Sequence, residues 1–402
     1  MIMFTQKKAL PVHGFIYDPI AFAGGSKVAT SEMLLVCKDS DVEFTILTAD
    51  PSSWSQVQKH VPNTRIIRLP YFAFLCHANG LKYWLSQLYL MTVLLITFIR
   101  IKPIDYAVGA SGPGIDMALY LCRFIMRFSV IQLIHGPVAP SRSIGYCLSQ
   151  AKHVYYLDST YQSICNALYA YFSLTSDPEQ NRTLANFSFT SGQMRAFTNG
   201  ISQLHWPSQA SFQSERLFWA ASLLEWKGLD IFVSAIDSKF SGLSFTADIC
   251  YIRPTSTKLA VSELPKNWDN VRLYESPDNL DTIRSQCGIF VSTSDNEPFG
   301  LSILESLAAG LSVVIPSDGA YWDQKLTHGE NCIKYTPRDE LSLRSELGKL
   351  VQNTDLRASL SIGGQKITEQ YRAELCYAAI AESLTTRRSY VSHQSHDFGA
   401  RS

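Results

Sequence analysis

Between Ser294 and Gly310 the sequence reads Ser-Asp-Asn-Glu-Pro-Phe-Gly-Leu-Ser-Ile-Leu-Glu-Ser-Leu-Ala-Ala-Gly. Two carboxylates, Glu297 and Glu305, bracket a Pro-Phe-Gly-Leu core. An apolar run ends just before the stretch, and Leu301, Leu304 and Ala308 then fall on one helical face. The pattern is strand, turn and helix, with Pro298 suited to the first helical position and Gly310 to the exit. A helix opening here leaves the N–H groups of Phe299, Gly300 and Leu301 without intrahelical acceptors, backed by the positive end of the helix dipole. Such a terminus binds phosphate or another anion, and Gly300 lets a ligand approach the backbone closely. Glu297, just ahead of the helix, is placed to accept hydrogen bonds from ligand hydroxyls. Glu305, about two turns on, is placed to hold a pair of hydroxyls such as those of a ribose.

These groups need a scaffold that delivers them to one place. Short apolar runs alternate with helical patterns along the whole chain, which signals parallel sheets with crossover helices. In the first half Ala9 to Tyr17, Phe44 to Thr48, Tyr106 to Val108, Val130 to Ile134 and Val154 to Leu157 read as strands. Ser26 to Cys37, Leu81 to Arg100 and Ile115 to Arg127 read as helices. The pattern restarts after Ile201, with strands at Leu217 to Ala221, Ala247 to Ile252, Ile289 to Ser292 and Val313 to Ile315. Its helices are Leu229 to Ile236, Asn279 to Gln286, Leu301 to Ala309, Leu341 to Gln352 and Arg357 to Arg372. Polar, proline-broken sequence from Leu204 to Ser214 reads as a linker. Two α/β domains in tandem are therefore expected, residues 1–204 and 205–373, with a short segment 374–386 to follow. The tail from Arg387 to Ser402 lacks periodic apolar positions and is expected to be disordered.

Composition narrows the classes of function. The chain has 402 residues, 46% hydrophobic, with 35 Lys plus Arg against 35 Asp plus Glu. The zero balance argues against a dedicated nucleic-acid binder. Nine cysteines are scattered with no C-x-x-C pair, so reduced thiols are expected rather than a disulfide scaffold or a zinc site. Met1 to Lys8 has no long apolar core, so no secretory signal is expected and the reading is cytoplasmic. Tyr83 to Ile99 is uncharged and flanked by Lys82 and Arg100. A helix buried against a sheet and a segment partly inserted into a membrane surface both fit; Ser86, Gln87, Thr92 and Thr97 favour the buried helix. Peripheral association with the inner face of a membrane stays open as the minority reading. Asp39-Ser40-Asp41 has the spacing of a metal-binding pair but precedes a strand, and reads as a solvated turn.

The Ser294–Gly310 stretch resembles the signature of glycosyltransferase family 4. Phe218 to Asp230 resembles the same family's strand–loop–helix segment ending in Lys-Gly, here Lys227-Gly228. Ala23-Gly24-Gly25-Ser26 resembles its N-terminal glycine loop, where backbone amides approach a phosphate or an acceptor. Asn199-Gly200-Ile201 resembles its pair before the linker, although Asn-Gly also makes ordinary turns. The resemblance covers most of the second half of the chain and extends weakly into the first.

It implies the GT-B fold, two Rossmann-like doubly wound domains facing each other across a cleft. The donor, a nucleotide-diphosphate sugar, would lie on the second domain, and a glycan or lipid-linked acceptor on the first. It further implies a retaining transfer with no metal and no cofactor, and a last helix near Glu374 to Thr385 that returns to the first domain. Lys227 and an arginine would neutralise the donor pyrophosphate; the arginine position is Ser222 here, a departure for which Arg253 is a substitute. His135, in Ile134-His135-Gly136, would face the reacting sugar, and a structural histidine is the other reading. Glu297 would hold the sugar, and Glu305 with Phe299, Gly300 and Leu301 the rest of the donor. Trp322 reads as core or as acceptor wall. Two other functions fit the same residues: a sugar-nucleotide-binding protein that lost activity with the arginine, and a sugar-nucleotide epimerase. Oligomeric state is not legible.

Overall fold

The computed structural model describes residues 11–72, 75, 80–173, 178–237, 244–254, 259–265 and 270–386. The expectations for Met1 to Lys8 and for the tail from Arg387, and the thiol of Cys76, lie outside them.

In the first domain the strands are β1 (Val12–Asp18), β2 (Val42–Thr48), β3 (Arg65–Arg68), β4 (Tyr106–Gly109), β5 (Ser129–Ile134), β6 (His153–Leu157) and β7 (Met194–Phe197). Its helices are α1 (Gly25–Leu35), α2 (Ser55–His60), α3 (Gly80–Arg100), α4 (Met117–Cys122), α5 (Arg142–Gln150), α6 (Tyr161–Phe172) and α7 (Pro178–Thr190). The described strands form one sheet in the order β3-β2-β1-β4-β5-β6-β7, every pair parallel. Leu90, Leu94 and Phe98 of α3, with Ile144, Leu148, Ile164 and Leu168, bury one face. Met33 and Leu34 of α1 and Val57 of α2 bury the other.

The second domain has β8 (Leu217–Ser222), β9 (Ala247–Ile252), β10 (Val271–Glu275), β11 (Ile289–Val291), β12 (Ser312–Pro316) and β13 (Ile333–Tyr335). Its helices are α8 (Leu229–Ile236), α9 (Leu280–Ser285), α10 (Leu301–Ala309), α11 (Tyr321–Lys325), α12 (Glu340–Gln352) and α13 (Thr354–Thr368). The parallel sheet runs β10-β9-β8-β11-β12-β13. In both sheets the order reverses once, between β1 and β4 and between β8 and β11. A ligand of an open α/β sheet binds at that reversal, outside the carboxyl ends of the strands.

The last two helices among the described residues are α14 (Ala373–Cys376) and α15 (Ala378–Thr385), and α15 packs on the first sheet. Tyr106 Oη donates to the Leu384 carbonyl at 2.6 Å, and Tyr155 Oη to that of Ala379 at 3.0 Å. The outgoing and returning crossings pair with each other: Ile201 N donates to Tyr371 O at 2.9 Å and Ala373 N to Ile201 O at 3.0 Å. Asn199-Gly200 sits at this crossing, where Gly200 N donates to buried Tyr377 Oη at 3.0 Å.

Three expectations are corrected. The helix expected over Ile115 to Arg127 is regular only from Met117 to Cys122. Beyond it the amides of Arg123, Phe124 and Ile125 bond three residues back, so the turn tightens. The helix expected over Arg357 to Arg372 begins earlier, at Thr354, because Asn353 Oδ1 caps it by accepting from Leu356 N at 2.9 Å. It ends at Thr368. Helix α3 is not enclosed: Leu81 and Ile99 are 76% and 79% exposed.

Tyr377→Phe is expected to strand two buried groups at the crossing, Gly200 N–H and Asn199 Oδ1, the latter 3.2 Å from the phenol. Leaving such groups unpaired costs about 1–3 kcal/mol. Urea unfolding measures it; a midpoint equal to that of the unaltered protein would remove the crossing from the list of stabilising contacts.

Candidate active site

The loop after β8 makes one tight turn, Glu225–Lys227, and then passes through Gly228 at φ 68°. A side chain there would meet the Thr293 carbonyl at 2.3 Å, so only glycine permits both the turn and the contact. Two hydrogen bonds fasten the loop to the end of β11, and a third from Trp219 of β8 supports them. Thr293 Oγ1 donates to Lys227 O at 2.9 Å, Asp295 N donates to Trp226 O at 2.8 Å, and Trp219 Nε1 holds Thr293 Oγ1 at 3.0 Å. This arrangement brings the two loops of the β8/β11 reversal together, and Lys227 Nζ donates to Glu297 Oε2. The two side chains are 16% and 15% exposed. The ammonium also lies 4.0 Å from the Trp226 ring centroid, which holds it by cation–π attraction.

Helix α10 starts later than its sequence suggests. Gly300, at φ 78°, is the N-cap and Leu301 the first helical residue, so Pro298 lies outside the helix. Ile303 N already bonds Gly300 O at 3.1 Å. The amides at the helix start are those of Leu301 and Ser302 with the cap Gly300, and the Phe299 amide is not among them. Phe299 instead anchors the turn: its ring lies 4.9 Å from Tyr321, 5.4 Å from Trp322 and 6.2 Å from Tyr371, centroid to centroid. Trp322, 2% exposed, is core.

Across the cleft, α1 begins at Gly25 with Gly24 as its cap. A Cβ on Gly25 would lie 4.0 Å from Leu301 Cδ1, so the first turns of α1 and α10 face each other. Two positive helix ends thus border one gap. Lys27, in the first turn of α1, is turned inward: its Nζ bonds Ile20 O at 2.7 Å and pairs with Asp18 at 3.1 Å and Asp50 at 3.3 Å.

Glu305, on α10, is joined to a residue the sequence reading missed. Arg284 of α9, 5% exposed, donates to Glu305 Oε2 and, at 2.8 Å, to Asp281 Oδ1, and Asp281 in turn accepts from Ser208 N at 3.2 Å. The only signal in the sequence was the Asp281–Arg284 spacing of three on a helix. Ser222 ends β8, in register with Ile252. Arg253 pairs with Glu275 of β10 at 3.4 Å, on the far side of β9 from β8, and is 49% exposed. The structure therefore does not bring Arg253 to Lys227, which corrects its place as a substitute cation. Asp39 and Asp41 precede the amino end of β2, opposite the carboxyl ends of the strands. A cavity of about 340 Å³ lies behind the Lys227 loop, lined by Glu225, Trp226, Asp230, Leu259, Asp295 and Arg338, and includes neither Lys227 nor Glu297.

His135 follows β5 and rests on α1, its Nε2 3.3 Å from Thr30 Oγ1 and its ring edge-on to Phe197 at 5.6 Å. Its Nδ1 is buried without a hydrogen-bond partner. Burial pushes the imidazole pKa down to about 4, so the ring is neutral at pH 7. In the unfolded chain the imidazole takes its proton near pH 6.5. Between these values the unfolded state binds the extra proton, so stability falls on acidification and is fully present above about pH 6.5. The expected loss is about 2 kcal/mol from pH 7.5 to pH 5. Urea unfolding of His135→Gln at both pH values checks it: the variant should lose about that much less than the unaltered protein, and equal losses would place the acid sensitivity elsewhere.

Residues 214–367 match the family described as Glycosyl transferases group 1. No curated protein sequence matches the chain. Among solved structures, HepE of Anabaena in complex with UDP and glucose is 16% identical, with a TM-score of 0.67 over 93% of this chain and 99% of that one. A glycosyltransferase from Rickettsia africae is 12% identical, with a TM-score of 0.63 over 94% and 100%. Sucrose-phosphate synthase of Thermosynechococcus elongatus is 13% identical, with a TM-score of 0.64 over 92% and 98%. The chain thus has the GT-B fold of glycosyltransferases, and its second domain is similar in sequence to glycosyl transferases group 1.

Proposed function

We propose that this protein is a retaining glycosyltransferase that moves a sugar from a nucleotide-diphosphate sugar to an acceptor hydroxyl. The observation that carries the reading is the Lys227–Glu297 pair at the strand reversal of the second domain, beside the opposed first turns of α1 and α10. The family match over the second domain agrees with it.

In this reading the donor diphosphate lies against the amides of Gly300, Leu301 and Ser302. Lys227, held by Glu297 and Trp226, stands beside it. When the donor enters, Lys227 turns its charge to the phosphate, and Glu297 accepts hydrogen bonds from the sugar. Glu305, oriented by Arg284, takes the ribose hydroxyls. The bond from the anomeric carbon to the phosphate oxygen breaks as the acceptor oxygen bonds to that carbon on the same face. The acceptor proton passes to the leaving phosphate oxygen. Negative charge grows on the phosphate in the transition state, so fixed helix amides and one ammonium lower the barrier there more than they tighten binding of the ground state. Neutral His135, seated on α1, offers a hydrogen bond to the sugar without adding charge.

Because Ser222 replaces a cation, Lys227 carries more of the charge than a shared site would require. Lys227→Ala should lower kcat at least about tenfold, the lower end of what a charge-assisted hydrogen bond of ~1.5–3 kcal/mol supplies. The loss should fall on kcat more than on donor affinity. Ser222→Arg should restore part of it, and failure of that rescue would mean that Ser222 does not face the phosphate. Glu297→Ala should abolish transfer while leaving the protein folded. Donors are found by thermal shift with UDP-, GDP- and ADP-sugars, since a ligand of the folded state at 100 times its Kd adds about 2.7 kcal/mol. Stabilisation by a donor with no transfer to any acceptor would leave a binding protein, and conversion of the donor without acceptor an epimerase.

The reading assigns the charge work to protein groups alone. Transfer is expected to persist in EDTA. Loss in EDTA that a divalent ion restores would overturn this assignment.

A further inference from the structure

Helix α3 is built inside out for a water-facing surface. Its buried face includes Ser86, Gln87 and Thr97, at 0%, 4% and 8% exposure, beside Leu90, Leu94 and Phe98. The polar groups there are satisfied locally. Ser86 and Thr97 donate to carbonyls one turn back, and Gln87 Oε1 accepts from Ala118 N at 3.0 Å. The outward face carries Leu81, Trp84, Leu85, Leu88, Ile96 and Ile99, all between 43% and 79% exposed. At 100° per residue these six fall on one stripe, interrupted midway by exposed Thr92, whose hydroxyl returns its hydrogen bond to the Leu88 carbonyl at 2.9 Å. A water-facing helix of a soluble domain has the opposite polarity, and an apolar stripe of this length marks a surface that something covers.

The charges around the stripe say what covers it. No Asp or Glu occurs from Gly80 to Ile104, whereas Lys82, Arg100 and Lys102 do. All three bases are exposed, as is Arg127 after α4, which packs on α3; Lys102 pairs with Glu43 at 3.1 Å, which leaves Lys82, Arg100 and Arg127 to carry the positive charge. Asp116, in the loop leading into α4, is fully buried and adds no surface charge. A second copy docked through the same face about a two-fold axis would set Lys82 of one molecule near Arg100 of the other, like charge on like. A bilayer with anionic headgroups instead accepts the apolar stripe and the bases together, with Trp84 suited to the interface.

We propose that the outward face of α3 lies flat in the surface of an anionic lipid bilayer and docks the first domain there. The N-terminal end of α3 is beside the cleft: Tyr83 Oη donates to Gly114 O at 2.7 Å, in the loop after β4 at the strand reversal. A molecule docked in this way presents the cleft of its first domain to the membrane surface. If the transfer reaction proposed above is accepted, on which this last step rests, the acceptor is lipid-linked.

The test is co-sedimentation of the full chain with vesicles of phosphatidylcholine alone and of phosphatidylcholine mixed with phosphatidylglycerol. Pelleting is expected with the mixed vesicles and should weaken as salt rises. Leu85→Ser with Leu88→Ser should lower the partition coefficient at least about tenfold. Lys82→Gln with Arg100→Gln should lower it about 25-fold, near fivefold for each charge. All four side chains are exposed, and unchanged melting temperatures confirm that the variants fold. Absence of pelleting with the mixed vesicles, or serine variants that pellet like the unaltered protein, overturns the proposal. So does a dimer in lipid-free solution that the serine changes convert to monomer, because the stripe is then a protein interface. The readout is binding, so Glu297→Ala protein should still pellet, and a failed transfer assay leaves this result untouched.

Discussion

The closeness of Gly228 to the Thr293 carbonyl governs the geometry of the site. A strand reversal only guarantees that the loops after β8 and β11 start side by side. It does not say that they touch, or that a lysine on one meets a glutamate on the other. The missing Cβ at Gly228 lets the first loop settle on the end of β11, where Thr293 Oγ1 and Asp295 N hold its carbonyls. With Lys227 and Trp226 pinned through their carbonyls, the ammonium has few places to go. It lies between the indole of its neighbour and the carboxylate of Glu297. Any larger residue at Gly228 would push the loops apart and undo the pair. This is a backbone constraint whose consequence is electrostatic.

The same logic links the two halves of the chain. The linker near residues 202–208 is gripped from both sides. Toward the first domain, Glu32 of α1 accepts from Ser202 N at 2.6 Å and bonds His205 Nδ1, and that hydrogen bond raises the imidazole pKa. Toward the second, Ser208 N reaches Asp281, which shares Arg284 with Glu305. Two polar clusters therefore fix the linker, one to α1 and the other, through Asp281 and Arg284, to Glu305 of α10. The aromatic face of Trp206 packs under Arg372 of the returning crossing, 3.4 Å from the ring centroid. Relative movement of the domains must bend this short segment, whose anchors are Glu32 on α1 and Asp281 on α9, the latter joined through Arg284 to Glu305 of α10.

Sequence patterning reads this architecture unevenly, and the unevenness is physical. All the inner strands of both sheets stand out as apolar runs. Those left unread are β3, β7, β10 and β13, the edge strands. An inner parallel strand is buried on both faces and must be continuously apolar, whereas an edge strand is half solvated. Arg65-Ile66-Ile67-Arg68 and Val271-Arg272-Leu273-Tyr274-Glu275 look like loops for that reason. In the candidate site, Lys227, Glu297 and Glu305 draw attention in the sequence because each lies near a glycine that shapes the backbone. Arg284 is not, because its partners are distant in sequence and nothing local requires them. Pro298 misleads for the opposite reason: local propensity favours it at a helix start, but Gly300 can take a left-handed cap conformation that Pro298 cannot, and the helix begins after it.

Helix α3 shows where composition stops being informative. From Tyr83 to Ile99 the residues alternate between apolar and mildly polar with no charge, so the sequence does not say which side faces the sheet. With its polar residues turned outward the helix would be a core element. The fold places Ser86, Gln87 and Thr97 inside, where each finds a backbone partner within reach. Hydroxyls can return their hydrogen bond to the preceding turn at little cost, and one amide can cap a neighbouring helix. Trp84, Leu85 and Leu88 have no equivalent compensation in water. With the satisfied polar residues buried and the apolar ones presented outward, the bilayer docking proposed above would cover the face that water solvates least well, which would tie the orientation of one helix to the environment in which the protein works.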